Sequence, residues 1–499
     1  MATRLPERMS GVDTAWLRME SPTNPMTIVG LMTFAGRADI AAVKRVVSSR
    51  FLAYHRFRCR PVRETWWVVA RHFDLDEHVV RVRLPGKAGK RELERLVGRL
   101  ASAPLPAGRP LWQFHLVENF GSGSALVMRI HHCYADGIAL VRVLLSMTGA
   151  TAAESMAAPA PQDEPRSAQV EQDLLARALA PISEVLEEGV PEAMGHGLDL
   201  AADAAKLVLM PRDAPTRLKG PLGTVKRVAW ADPLALDEVK AVAKAMDCSV
   251  NDVLVSMAAG ALREYLRARG ETIDGRPDVR AIVPVNLRPG EQAARLGNRF
   301  GLVFLDLPLG IEHPLERLYE VRRRMLALKG SYQPVIALGL LGAVGAAPRM
   351  LQDQITRFLG QNASLVLTNV PGPQAPLYYA GQRITDVHFW VPQSAGIGLG
   401  LSLLSYDHSV EFGVMSDVGL VPDPDRIADR FGDEFAKLLW IALMSPWSDE
   451  VFGPGTGAPR ASGPSAASLG RSGPAKKAAG RKNRPARVRL PAAAGEGPT

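Results

Sequence analysis

Cysteine is scarce in this chain. Cys59, Cys133 and Cys248 are the only three in 499 residues, and no two form a C-x-x-C pair. That excludes a disulfide framework and makes a reducing cytoplasm the simplest compartment. Long apolar runs are missing too: the longest, Val335 to Ala347, has 13 residues, against the roughly 18 to 20 that span a bilayer. Composition favours a buried core helix there, with a membrane-interface or tunnel-lining segment as the other reading. The N-terminus, Met1-Ala-Thr-Arg-Leu-Pro-Glu-Arg-Met-Ser10, lacks the apolar centre of a signal peptide. Excess charge is absent from the body as well. The net charge is +9, yet residues 451–499 hold nine Lys or Arg against one acid, Glu496. That tail carries +8, which leaves the other 450 residues close to neutral and argues against a nucleic-acid-binding body.

What remains is ordinary globular material, 47% hydrophobic and 22% charged. The length suits two or three domains. Strand-like and helix-like stretches alternate through the first half. Helical spacing appears at Ile40–Phe51 and again at Lys90–Leu100, where Leu93, Leu96, Val97 and Leu100 share a face. A strand from Gln113 to Val117 pairs through Phe120-Gly-Ser-Gly-Ser124 with a second strand that ends in His131 and His132. The class is therefore α/β. From Gly149 the composition shifts to Ala, Pro, Glu and Ser, a crossover linker with a surface helix. The expected divisions are an N-terminal domain at 1–150, the linker at 151–215, a C-terminal domain at 216–450 and a disordered basic Gly/Pro/Ala tail at 451–499.

The stretch Met128-Arg-Ile-His-His-Cys-Tyr-Ala-Asp-Gly137 is the centre of the chain's chemistry. A strand delivers two imidazoles to its end, and Gly137 is expected to permit a tight turn into a helix. A titratable ring fixed on rigid scaffold is what general-base catalysis requires. The same residues also fit a histidine pair satisfied in the core, or half of a metal site. Metal is disfavoured because adjacent residues of an extended segment point to opposite faces, and no complementary Cys/His cluster accompanies them. Cys133 reads as packing rather than as a thiol nucleophile.

In the second half, Ser249-Val-Asn-Asp252 reads as a capping sequence, followed by apolar residues at helical spacing from Val250 to Tyr265. Asp252 is accounted for as a structural cap. Asn251, beside the free amides of the first turn, is a candidate oxyanion donor. Further strands are expected at Arg280–Asn286, Leu302–Leu307 and Ser364–Val370. A last pair, Gly396–Tyr406 with Val410–Met415, turns at Asp407-His408-Ser409.

These pieces together resemble the bacterial wax ester synthase/acyl-CoA:diacylglycerol acyltransferases, within the wider superfamily of HHxxxDG CoA-dependent acyltransferases. In order they are Pro110-Leu111-Trp112, His131-His132-x-x-x-Asp136-Gly137, Leu218-Lys-Gly-Pro221, Asn251-Asp252, Pro284-Val-Asn-Leu-Arg288, Gly297-Asn298, Thr368-Asn-Val-Pro-Gly-Pro373 and Ser405-Tyr406. Asp13 and Pro25-Met26 also fit, so the likeness covers roughly residues 8 to 448. HHxxxDG alone is shared with chloramphenicol acetyltransferase and peptide-synthetase condensation domains; the ordered set is more specific.

The resemblance implies two chloramphenicol-acetyltransferase-like domains in a pseudo-dimer, with a tunnel between them. It implies transfer of a long-chain acyl group from acyl-CoA to diacylglycerol or a long-chain alcohol, without a cofactor. His132 would be the general base, and His131 structural. Asp136 would pair with an arginine, for which Arg288 is the candidate, and hold the loop. Implied partners are acyl-CoA and a lipid alcohol, with peripheral association to a membrane or lipid inclusion and no nucleic acid. Two features depart from the family pattern: His408 stands where glycine is usual, so a different hairpin shape is expected, and the cationic tail has no counterpart. Competing readings are a relative with a non-lipid acceptor and a non-catalytic coat protein of lipid inclusions. The intact HHxxxDG and Asn-Asp pieces argue against the latter.

Overall fold

Along the chain the elements are β1 (Glu7–Arg8), α1 (Gly11–Arg18), β2 (Thr27–Phe34), α2 (Ile40–Val46), β3 (Cys59–Val62), β4 (Trp66–Val69), α3 (Leu75–His78) and β5 (Val79–Val82). There follow α4 (Lys90–Ser102), β6 (Trp112–Phe120), β7 (Gly123–His131), α5 (Gly137–Ser146) and α6 (Ala152–Met156). The second half comprises β8 (Lys226–Trp230), β9 (Leu234–Ala235), α7 (Leu236–Ala245), α8 (Val250–Ala268), β10 (Val279–Asn286), β11 (Phe300–Leu307) and α9 (Pro314–Lys329). It closes with α10 (Arg349–Asn362), β12 (Leu365–Pro371), β13 (Tyr378–Tyr379), β14 (Gln382–Trp390), β15 (Leu399–Tyr406), β16 (Ser409–Asp417) and α11 (Asp425–Met444). This computed structural model describes residues 6–157, 209–274, 278–286, 300–329, 333, 336–337, 349–393 and 396–444. Arg288, Gly297-Asn298, most of the linker, most of the apolar run Val335–Ala347 and the basic tail lie outside the described residues.

The fold is α/β, with a mixed sheet in each half. The first sheet has the order β13-β14-β2-β7-β6-β5, and the second β11-β10-β12-β15-β16-β8. The β6–β7 hairpin closes through Gly121-Ser122, where Gly121 takes φ 54°, as a two-residue turn requires. The first sheet is not built from the first half alone. β14 pairs antiparallel with β2, bringing His388 opposite Leu31 and Trp390 opposite Val29. That crossover covers the edge of β2 and ties the halves together.

Alternation decides which face of each strand goes where. On β12, Leu365 and Leu367 belong to a core shared with α7, α8 and α11, whereas Val366 and Val370 belong to the core shared with the first sheet. A third core packs α4 on the outer face of the first sheet. Gly98 lets α4 also approach β8 of the second sheet closely, since a Cβ there would lie 3.0 Å from the Lys226 carbonyl oxygen.

The β15–β16 turn closes without glycine. Asp407 and His408 both take positive φ, 44° and 63°, the pattern of a type I′ hairpin turn. At His408 the strand register holds through Tyr406↔Ser409, and the long ladder imposes the backbone that glycine would adopt freely.

Candidate active site

The HHxxxDG segment leaves β7 where three backbone contacts fix it. The His131 amide donates to Leu111 O at 2.9 Å, the His132 amide to Met26 O at 2.7 Å, and the Tyr134 amide to His131 O at 3.1 Å. Tyr134 is fully buried; its hydroxyl donates to Cys59 O at 2.7 Å and accepts from the Leu111 amide at 2.9 Å. The Pro-Leu-Trp and Pro-Met pieces therefore brace the histidine turn.

The two histidines differ in what they can do. His131 is wholly buried, and its Nδ1 accepts from the Cys133 amide at 3.1 Å, while Nε2 lies 3.8 Å from Glu20 Oε2. Burial, with the neighbouring His132, lowers its pKa to about 3, so it stays neutral. His132 is 6% exposed, lines a cavity of about 80 Å³, and stacks on Trp16 with ring centroids 4.3 Å apart and planes at 24°. Burial also pushes the Cys133 thiol well up, which leaves it a packing residue.

Asp136 caps α5: its Oδ1 accepts from the Ala139 amide at 2.9 Å. Its expected arginine, Arg288, lies outside the described residues. Gly137 serves a different purpose from the one expected. Its φ is not positive, so no left-handed turn demands glycine. It is the first residue of α5 and lines the cavity, and a Cβ there would meet nothing within 4 Å. The glycine keeps space open rather than bending the chain.

The opposite wall comes from the second sheet. β10 and β12 run parallel and are in register at Ala281↔Leu365 and Ile282↔Val366, after which they part. Pro284, with no N–H to give a ladder, stands just beyond the parting. The cavity occupies this fork, between Pro284 and Val285 on one side and Thr368, Asn369 and Val370 on the other. Its lining is mostly apolar, including Ile282, Leu302, Leu359, Val366, Val391 and Pro392. Thr368 shares the face of Val366 and Val370; its hydroxyl is buried and has no hydrogen-bond partner among the described residues.

Asn251 does not line the cavity. Its Oδ1 accepts from Asn369 Nδ2 at 2.8 Å, which joins the start of α8 to β12 and leaves its own NH₂ to donate. Asp252 closes a capping box with Ser249: the Asp252 amide donates to Ser249 Oγ at 3.1 Å and the Ser249 amide to Asp252 Oδ2 at 2.9 Å. Trp16, Thr368 and Asn369 are cavity residues that site reasoning from sequence passed over. Asn369 and Thr368 stood in a quoted motif, but nothing in their spacing marked them as lining a cavity with the histidine.

Comparison with known proteins settles the family. Residues 9–254 match the wax ester synthase/diacylglycerol acyltransferase catalytic domain, and residues 296–439 the WS/DGAT C-terminal domain. The chain belongs to the wax ester synthase/diacylglycerol acyltransferase family. It is an acyltransferase. A relative from Mycobacterium tuberculosis, named as a probable diacylglycerol O-acyltransferase (tgs1), is 30% identical over 403 residues, covering 78% of this chain and 84% of its own. The wax ester synthase/diacylglycerol acyltransferase from Marinobacter aquaeolei has the same fold, with a TM-score of 0.63 and 22% identity over 88% of this chain and all of that one. The first condensation domain of the calcium-dependent antibiotic synthetase follows the fold at TM-score 0.60 and 16% identity, covering 89% of this chain and 97% of its own. Among the described residues no cluster of three or more His, Cys, Asp or Glu could hold a metal, and no helix is long and apolar enough to cross a membrane.

Proposed function

We propose that this family member transfers a long-chain acyl group from acyl-CoA to the hydroxyl of diacylglycerol or a long-chain alcohol, with His132 as general base and no cofactor. His132 takes the acceptor's hydroxyl proton as that oxygen attacks the thioester carbonyl. The tetrahedral intermediate then collapses with cleavage of the C–S bond, and the imidazolium returns its proton to the departing thiolate. The products are an ester and CoA.

The observation that carries this reading is the apolar cavity in the fork of β10 and β12, which His132 lines from the first sheet and Thr368, with its buried and unpartnered hydroxyl, from the second. An apolar chamber excludes water from a reactive thioester and suits fatty substrates. The Thr368 hydroxyl, otherwise unanswered, is a donor for the oxyanion. Asn251 acts beside it through Asn369, so the part first assigned to Asn251 alone is shared. His131 and Asp136 hold the turn, the first as a neutral acceptor for the Cys133 amide and the second as the cap of α5. Work on lipids further suggests a cytoplasmic protein resting peripherally on a membrane or inclusion, which co-sedimentation with anionic vesicles checks; recovery wholly in the supernatant would reject it.

Purified protein given palmitoyl-CoA with diolein or hexadecanol should release CoA and form the corresponding ester. His132→Ala should reduce turnover to background while circular dichroism stays unchanged. Absence of turnover with any lipid alcohol, or an active His132→Ala, would end the proposal. Preference for short acyl-CoA or a non-lipid hydroxyl would replace the substrate class.

A further inference from the structure

We propose that Trp16 is a positioning residue for the transfer: its indole face sets the plane of the His132 imidazole and stabilises the imidazolium formed when the acceptor's proton is taken. The inference rests on His132 being the base. It starts from the one ring-on-ring contact His132 makes with α1: centroids 4.3 Å apart and planes only 24° from parallel. A cation within about 6 Å of an indole centroid is attracted by the ring's negative face, and the attraction strengthens where water is excluded. Trp16 is 5% exposed and His132 6%.

The indole is held where it is. α1 is capped by Ser10, whose Oγ accepts from the Asp13 amide at 3.0 Å. The side chain of Asp13 accepts from Arg56 Nη1 at 3.3 Å, and the same nitrogen reaches Tyr134 O, within the histidine turn, at 3.4 Å. Asp13 and Arg56 are both buried, so this link spans the back of α1 without competition from solvent. Beyond the end of α1, Glu20 faces His131 Nε2 at 3.8 Å. The α1 segment therefore meets the HHxxxDG segment directly through Trp16 and Glu20 and indirectly, by way of Arg56, through Asp13, and Trp16 is the one that meets the reacting ring. Packing alone does not call for this residue: Val12 and Ala15 of the same helix are buried as well, and an aliphatic side chain fills space without a preferred ring plane.

The titratable or charged groups along the histidine turn are His131 beside His132; Asp13 and Glu20 from the α1 segment and Arg56 from the turn His55–Arg58, which all act on Cys133; and Asp136 at the head of α5. None is altered by changing Trp16. The sign then follows. Without the indole face the imidazolium is less stable, so the base is protonated only at lower pH. The acid limb of kcat/KM moves down, even as kcat itself falls because the same imidazolium develops in the transition state.

The test is the pH profile of kcat/KM for palmitoyl-CoA in wild type, Trp16→Leu and Trp16→Phe, with circular dichroism to confirm folding. Trp16→Leu should shift the acid limb down by about half to one and a half pH units, and Trp16→Phe by less, with KM for palmitoyl-CoA changing less than kcat. A role in packing alone would lower activity without moving the limb. If Trp16→Leu does not fold, Trp16→Phe decides, with ¹³C-histidine NMR titration resolving the smaller shift. An unmoved titration in the folded variants overturns the proposal. Should His132→Ala retain turnover, the base assignment has failed; should it be dead while the limb stays put, only the Trp16 inference has.

Discussion

Replacing Thr368 by valine should make the protein more stable and less active at once. Thr368 is 7% exposed on a cavity wall, and its hydroxyl is buried and has no hydrogen-bond partner among the described residues. A buried hydroxyl without a partner costs about 1–3 kcal/mol relative to one that is satisfied. Valine keeps the branched shape and strand preference and removes only the polar atom. Thr368→Val should therefore raise the free energy of unfolding by about 1 kcal/mol, up to about 3 kcal/mol if the site is dry. In catalysis the sign reverses. If the hydroxyl donates to the oxyanion, its loss should lower kcat by about 10²- to 10³-fold, or about 2.7–4 kcal/mol of transition-state stabilisation. Urea denaturation at pH 7 reads the first quantity, and CoA release from palmitoyl-CoA the second. A destabilised variant with intact turnover would refute the reasoning, because it would mean that the hydroxyl is satisfied within the folded protein and idle in the reaction.

Two further predictions concern the other side of the cavity. Gly137→Leu should fold, since nothing lies within 4 Å of the added Cβ, and should lower kcat/KM at least about tenfold by filling acyl-binding space; wild-type kinetics in that variant would show the space to be unused. His131 is held neutral, with a pKa of about 3 against 6.5 in an exposed chain. Its contribution to stability is therefore complete above pH 6.5 and is lost as pH falls from there toward 3, at about 1.4 kcal/mol per pH unit. His131→Gln should flatten that dependence between pH 6.5 and 4.5 in urea titrations, and an unchanged slope would show that other groups set it.

Legibility in the sequence followed the range of the interaction. The Ser249–Asp252 capping box, the Gly121-Ser122 hairpin and the strand ending at His131 depend on residues a few positions apart, and each formed where the pattern placed it. Gly137 was visible as a requirement, but its reason was not: bending and empty space ask for the same residue, and only the backbone angle separates them. At Asp407-His408 local preference gave way to the ladder on either side.

The sequence by itself determined the α/β class, the histidine pair at a strand end and, through the ordered motifs, the family and its chemistry. Tertiary structure alone decided that Trp16 lies on His132, that Thr368 and Asn369 line the same cavity as His132, and that β14 completes the first sheet. The reason is physical. Periodicity reports that a face is buried, but not against what, and these partners stand more than 100 positions apart, where only the packing of two sheets brings them together.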